Sequence, residues 1–251
     1  MKNKKEIKEY SSSIEKETRE KHINMLLNSP IPKDQLLSNL GLYLNSKNLS
    51  RIIFFNEIYK KIVNIPGVIM EFGTRWGQNP ALFASLRGMY EPFNRHRKII
   101  IFDTFEGFPR ISKQDGKSDL MKKGQLSLTK NYHKYLEEIM NIQENDNPIN
   151  HIKKFEIYKG DAPIQLKKFL KKNPQSIISL AYFDFDLYKP TKDCLSIIKK
   201  RLVKGSILGF DELNDPDSPG ETTALMEVFD MNKIRLKKLP YVSRVAYFEI
   251  E

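Results

Sequence analysis

Apolar and polar positions change rhythm near residue 66. Ahead of it the apolar residues recur at helical spacing. "IEKETREKHINMLLN" reads as a helix. "KDQLLSNLGLYLN" sets Leu36, Leu37, Leu40 and Tyr43 on one face, and "LSRIIFFNEIYKKIVN" repeats the pattern with Ile52, Phe55, Tyr59 and Ile62. This prefix ends at Pro66-Gly67. Beyond it, short apolar runs alternate with amphipathic stretches. "GVIMEFG" (67–73), "KIIIFDT" (98–104), "KFEIYKGD" (154–161), "SIISLAYFDFD" (176–186) and "GSILGFDE" (205–212) read as strands, with helices expected over 77–93, 163–172, 190–203 and 220–231. "KIRLKKL" and "VSRVAYFEI" close the chain as a hairpin turning at Pro240-Tyr241. Strand–helix alternation predicts an α/β fold: a doubly wound, mostly parallel, seven-stranded sheet with an antiparallel C-terminal hairpin. The expected organisation is a helical extension over 1–65 and one α/β domain over 66–251. A polar, Lys/Asn-rich insertion over about 110–152, with a helix at "LTKNYHKYLEEIMN", separates the second and third strands. A segment this long beside the ligand edge of an α/β sheet reads as a lid or binding loop.

Composition changes this picture in two places. The 251 residues hold one cysteine, Cys194, so no internal disulfide can form and a reducing cytoplasm is expected. No apolar run approaches the roughly 20 residues of a membrane span, and the first residues lack a signal-type apolar core. The formal charge of +11 suggests an anionic partner. The lysines are dispersed in pairs such as Lys122-Lys123, Lys167-Lys168 and Lys199-Lys200, without interleaved aromatics. That is the pattern of a solvated surface, and no nucleic-acid platform is expected.

The candidate chemistry lies at the strand ends, because open parallel sheets bind ligands beyond the carboxyl ends of their strands. An acid stands at each of the first five: Glu71, Asp103, Asp161, the pair Asp184 and Asp186, and the pair Asp211-Glu212. The loop after the first strand carries Gly73 and Gly77, a G-x-x-x-G spacing rather than the G-x-G-x-x-G of a dinucleotide site. Glu71 and Asp103 would repel a pyrophosphate. They suit a cofactor with a cationic centre, an amino group and a ribose, a description that S-adenosylmethionine meets. Gly73 would let backbone approach it, Asp103 would accept both ribose hydroxyl protons, and Asp161 would meet the adenine amino group. Thr74, Thr104, Phe105 and Gly160 complete the expected cofactor loops. Asp184 and Asp186, two apart, share a face if the strand runs through both, and adjacent strands would bring Asp184 to Asp211. Carboxylates this close repel unless a cation intervenes. All-oxygen ligands favour Mg²⁺, with Ca²⁺ or Mn²⁺ as substitutes.

"VIMEFGTRWGQN", "IFDTFEGFP", "YKGD", "FDFDLYKPTKDCL", "GFDELN" and "PGETTALMEVF" occur in the order found in metal-dependent sugar O-methyltransferases of the macrocin O-methyltransferase type, which the chain resembles over about 67–230. The resemblance implies a Rossmann-like class I methyltransferase fold, with S-adenosylmethionine over strands one to three and Mg²⁺ at strands four and five. It implies Asp184 and Asp211 as metal ligands. Glu212 stands where family members often carry a second aspartate, and is the third ligand expected here. It also implies a sugar acceptor, nucleotide-linked or glycosidically attached. The basic surface favours a nucleotide-linked deoxyhexose or heptose for surface polysaccharide over a macrolide sugar.

The expected reaction is direct displacement: a base removes a sugar hydroxyl proton and the alkoxide attacks the sulfonium methyl in line. Asp184 or Asp186 is the expected base, with His133 or His151 as runner-up if the insertion folds over the site. The rivals are a nucleic-acid-binding protein on the same scaffold and a nicotinamide dehydrogenase; the missing G-x-G-x-x-G argues against the second. The prefix helices either bury a homodimer or higher homo-oligomer interface or cover the chain's own sheet.

Overall fold

The structure is a computed structural model that describes residues 11–251. The chain forms two compact units, one ending at Ile52 and the other spanning Ile53–Glu251, a division that falls inside the helix Ser46–Ile62.

The first unit opens with α1 (Ser13–Leu27), started by a capping box: Ser12 Oγ accepts from the Glu15 N–H at 3.2 Å, and a Glu15 carboxylate oxygen accepts from the Ser12 N–H at 2.7 Å. None of its residues is buried. The helix expected over "KDQLLSNLGLYLN" forms instead as two 3₁₀ segments, Lys33–Gln35 and Leu37–Tyr43. Ser38, Asn39 and Gly41 are poor α-helix formers, and the tighter turn wins in this short stretch. Leu37, Leu40 and Leu42 are exposed.

The second unit is built on one sheet of six strands in the order β3-β2-β1-β4-β5-β6. They are β1 (Val68–Phe72), β2 (Ile99–Asp103), β3 (Phe155–Lys159), β4 (Ile178–Phe183), β5 (Leu202–Phe210) and β6 (Ala246–Glu249). All neighbouring pairs are parallel except β5–β6, which is antiparallel. The expected seventh strand, "KIRLKKL", contributes only an isolated bridge from Lys237 to Tyr247. It carries alternate charges, sits at the edge and runs into Pro240, which has no N–H for a ladder. The helices are α2 (Ser46–Ile62), α3 (Gln78–Tyr90), α4 (Tyr132–Asn145), α5 (Ala162–Lys172), α6 (Tyr188–Ile198) and α7 (Gly220–Val228).

Strand alternation divides the core into two layers. Met70, Phe72, Ile100, Phe102, Ala181, Phe183, Leu208 and Phe210 pack with α5, α6 and α7. Ile69, Ile99, Ile101, Leu180, Tyr182 and Ile207 face the other way, onto Phe54, Phe55, Ile58 and Tyr59 of α2, Phe83 of α3, and Leu136 and Met140 of α4. Each buried ring in these layers contributes about 1.5–3 kcal/mol. A phenylalanine ladder runs along the first layer at the strand tips. Ring centroids are 5.1 Å apart for Phe72–Phe102, 4.7 Å for Phe72–Phe183 and 5.3 Å for Phe183–Phe210, all stacked. Phe72 pairs in register with Phe102 and Phe183, and Phe183 with Phe210. The ladder therefore brings the residues that follow these rings, Gly73, Asp103, Asp184 and Asp211, to one level along one rim.

The opposite end of the sheet is held by buried charge. Glu91 accepts from Tyr59 Oη at 2.7 Å and from Arg97 Nε and Nη2 at 2.8 and 2.9 Å. Arg97 also donates to the carbonyls of Ile62 at 2.8 Å and Gly67 at 2.7 Å. Burial pushes the Glu91 carboxyl up, but its bonds to Arg97, Tyr59 and Asn94 outweigh that, and the net shift is below its ordinary 4.5. Arg97→Leu strands a buried carboxylate and two carbonyls, and is expected to lower the unfolding free energy by about 3–5 kcal/mol in urea titration. A depressed carboxyl stabilises the fold above its unfolded pKa and ceases to do so as pH falls through the folded one. The gap between wild type and Glu91→Gln should therefore shrink below pH 4.5.

Candidate active site

The rim carries two groups of residues. The first surrounds Asp103, the last residue of β2. Its Oδ2 accepts from the N–H groups of Thr74 at 2.7 Å and Arg75 at 2.9 Å, and its Oδ1 from Phe105 N–H at 2.6 Å. Burial pushes its pKa up, and these three bonds oppose the shift. A carboxylate offers about four lone-pair sites. Three are used to fold the loops around it. Gly73 has a packing reason of its own. A Cβ there would lie 2.1 Å from the Asp184 carbonyl oxygen, and φ is +86°. The glycine lets the β1 and β4 loops approach each other, whatever it does for a cofactor. Thr74 Oγ1 is buried with no hydrogen-bond partner. Glu71 lies one residue inside the β1 terminus, fully buried on the face opposite Phe72. Gly77 starts α3, with Leu136 of α4 packed where its Cβ would be.

The insertion forms part of this wall. Tyr132 Oη donates to the Trp76 carbonyl at 3.0 Å, and the two rings meet edge-on at 4.9 Å. His133 packs on Phe105 with centroids 5.9 Å apart, and its Nδ1 is buried without a partner. Glu144 pairs with Arg87 and, at 2.7 Å, with Lys154, which ties α4 to α3 and to the start of β3. His151, the other histidine considered as a base, is exposed on a turn before β3. It lies at the amino ends of the parallel strands and is excluded from the rim. Thr104 Oγ1 donates to the Gly107 carbonyl at 2.9 Å, and Gly160 N–H to the Asp103 carbonyl at 2.8 Å. Asp161 is exposed and caps α5, accepting from Ile164 N–H at 3.2 Å. The helix cap already occupies one of its oxygens.

The second group follows β4 and β5. The fourth strand ends at Phe183, earlier than expected, so Asp184 and Asp186 lie in a loop and do not share a strand face. Asp186 takes φ +60°, a conformation that costs an L-residue about 1–3 kcal/mol unless its surroundings fix it. Oxygens of Asp184, Asp211 and Glu212 all lie within 4.8 Å of one another. Tyr182 Oη donates to Asp211 Oδ1 at 2.7 Å. Arg244 reaches Glu212 Oε1 at 3.1 Å and Asp215 at 2.7 Å, while the buried Glu212 Oε2 meets no donor. Burial, followed by Asp186 and Asp211, pushes Glu212 up to about 10 despite Arg244. Burial pushes Asp186 up to about 7, its bond to Glu212 opposing and Asp184, Glu221 and Asp211 adding to the shift. Asp186 and Glu212 are thus a coupled pair, both pushed up chiefly by burial, and their titration belongs to the pair rather than to either residue.

Two buried acids beside this group have no role assigned from sequence. Glu221, in the first turn of α7, is fully buried. Its Oε1 accepts from the N–H groups of Phe185 at 2.8 Å and Asp186 at 3.3 Å, and its Oε2 from Glu212 N–H at 3.4 Å. In sequence, an acid in a helix's first turn reads as an ordinary dipole partner, and nothing local marks it for another role. Asp115 of the insertion is also buried here, accepting from Tyr188 N–H at 2.5 Å.

A doubly wound sheet whose order reverses between β1 and β4, with an acidic carboxyl-end rim, defines the class I S-adenosylmethionine-dependent methyltransferase fold. No protein-family model and no curated protein sequence matches the chain. Among solved structures, a crystal structure of CalS11, a calicheamicin methyltransferase, is 38% identical with a TM-score of 0.93, over 96% of this chain and 94% of that one. An apo structure of CalS11, described as a TDP-rhamnose 3'-O-methyltransferase of calicheamicin biosynthesis, is 36% identical with a TM-score of 0.85 over 96% of each chain. The O-methyltransferase NovP, 19% identical with a TM-score of 0.59 over 80% of this chain and 79% of that one, shares the fold. The chain belongs to the class I S-adenosylmethionine-dependent sugar O-methyltransferase family, and it is a methyltransferase.

Proposed function

We propose that the protein methylates a hydroxyl of a nucleotide-linked deoxyhexose or heptose, in a reaction that requires Mg²⁺. The observation carrying this reading is the convergence of Asp184, Asp211 and Glu212 at the tips of β4 and β5, with a buried Glu212 oxygen that has no donor. An all-carboxylate set of this kind fits a hard divalent cation, with Ca²⁺ or Mn²⁺ as substitutes. Those three residues would hold it. When bound, such a cation supplies Lewis acidity that lowers the pKa of a sugar hydroxyl. The chain's own groups do the rest. The Asp103 loop, with Thr74, Thr104, Phe105 and Gly160, binds the adenosyl part of the methyl donor; the orphaned Thr74 Oγ1 and His133 Nδ1 beside it fit a polar ligand. Asp184 is only half-buried, whereas Asp186 is buried, so Asp184 is favoured as acceptor of the hydroxyl proton. The sugar oxygen then attacks the sulfonium methyl and S-adenosylhomocysteine leaves. His133, packed on Phe105, belongs with the cofactor wall rather than with the base.

The acceptor follows from the chain's relatives and its charge. CalS11 is described as acting on TDP-rhamnose, a sugar still on its nucleotide, although it serves natural-product biosynthesis. A net charge of +11 suits the diphosphate of such an acceptor. This favours a nucleotide-linked sugar over one already attached to a macrolide, and fits a cytoplasmic step that feeds surface polysaccharide. No helix among the described residues is long and apolar enough to cross a membrane. The exposed Leu37, Leu40 and Leu42 of the first unit suit a homodimer or higher homo-oligomer. With labelled methyl donor, a panel of nucleotide-sugars and matched alkyl glycosides should show transfer to a nucleotide-linked deoxysugar and at least about tenfold lower kcat/KM for its glycoside. Equal rates on both would favour the glycoside reading.

A further inference from the structure

Three consecutive residues at the start of α7 meet the loops that carry the carboxylates. Glu221 accepts from Phe185 and Asp186 N–H with one oxygen and from Glu212 N–H with the other. One side chain therefore spans the loop after β4 and the loop after β5. Thr222 Oγ1 accepts from Asn214 N–H at 2.9 Å, further along the second loop. Gly220 leaves room for the first: a Cβ there would lie 2.5 Å from Tyr188 N, 2.8 Å from the Asp186 carbonyl oxygen and 2.8 Å from Asp115 Oδ1. Both loops contain a non-glycine residue at positive φ, Asp186 at +60° and Asn214 at +61°. Such conformations persist only where surrounding bonds over-determine them, and the first turn of α7 supplies those bonds.

We infer that Glu221 is a positioning residue, which sets the spacing of Asp184 and Glu212 so that both can ligate one divalent cation. Glu221 does not itself join the three carboxylates that converge. It acts through backbone N–H groups, fixing where each loop leaves its strand. Ligand-orienting groups of this kind typically change metal affinity about 10–100-fold when altered. The inference rests on the proposed cation site, and its test separates the two.

Mn²⁺ binding to the purified full chain is measured by electron paramagnetic resonance, alongside S-adenosylhomocysteine binding by calorimetry and thermal unfolding. Wild type should bind Mn²⁺. Glu221→Gln keeps the size but replaces one acceptor oxygen with an amide nitrogen. It should raise the Mn²⁺ Kd by about 10–100-fold while leaving S-adenosylhomocysteine affinity within about twofold. Thr222→Val removes a single acceptor and guards against misfolding of the first variant. It should raise the Mn²⁺ Kd by about two- to tenfold. Unchanged Mn²⁺ affinity in both variants, even with a lowered melting temperature, would overturn the inference and leave Glu221 a purely structural residue. A wild type that binds S-adenosylhomocysteine but no Mn²⁺ would overturn the cation reading, and this inference with it.

Discussion

Asp184→Asn and Asp211→Asn are each expected to lower methyl transfer by about 10²–10⁴-fold while S-adenosylhomocysteine binds as tightly as to wild type. The asymmetry follows from the rim. Both residues belong to the group at β4 and β5, whereas the loops folded on Asp103 belong to β1 and β2. Asn is nearly isosteric, so the Tyr182 bond to position 211 can persist and the fold should survive. What disappears is negative charge. Burial still holds Asp186 up, but the smaller push from the charge at position 184 or 211 should relax, and so should the attraction for a cation. Titration of activity against Mg²⁺ should show saturation in wild type and none in either variant. An S-adenosylhomocysteine affinity that fell together with the activity would mean that the two groups of residues form one site.

Asp103→Ala should have the opposite signature: S-adenosylhomocysteine affinity falls by about 10²-fold or more, and Mn²⁺ affinity changes little. Hydrogen bonds to a charged group contribute about 1.5–3 kcal/mol each. The variant loses any bond to the cofactor and also frees the N–H groups of Thr74, Arg75 and Phe105. Loop order and cofactor contact are thus lost together. Asp103→Asn should fall between, since its amide retains one acceptor oxygen. Calorimetry with S-adenosylhomocysteine reads both variants.

Much of the rim is legible in the sequence for a repeated local reason. A Phe-Asp step stands at the end of three strands, at 102–103, 183–184 and 210–211, and a Phe-Gly step at the end of a fourth, at 72–73. The apolar residue closes the core layer and the next residue must leave it. That repeat, read as a set, also predicts the stacked ladder that brings the acids level. The exact end of β4 is not legible. "AYFDFD" continues an alternation that a strand could follow through Asp186, but Phe185 N–H and Asp186 N–H go to Glu221 instead of to a neighbouring strand. This is a contact over 35 residues, beyond the reach of any local pattern. The same holds for Glu221, and for the bond from Tyr188 N–H to Asp115 over 73 residues. Gly73 is legible as a special position, but its contact with the Asp184 carbonyl is not, because that carbonyl comes from the loop after another strand. The missing seventh strand reflects a weak signal: "KIRLKKL" alternates, but a charged edge segment gains too little burial to extend a ladder beyond one bridge.

The most direct test is methyl transfer from labelled S-adenosylmethionine to a TDP-linked 6-deoxyhexose, using enzyme stripped with EDTA and assayed before and after Mg²⁺ is restored. The account predicts negligible transfer by the stripped enzyme and full recovery with Mg²⁺. Undiminished transfer in the presence of EDTA would contradict it.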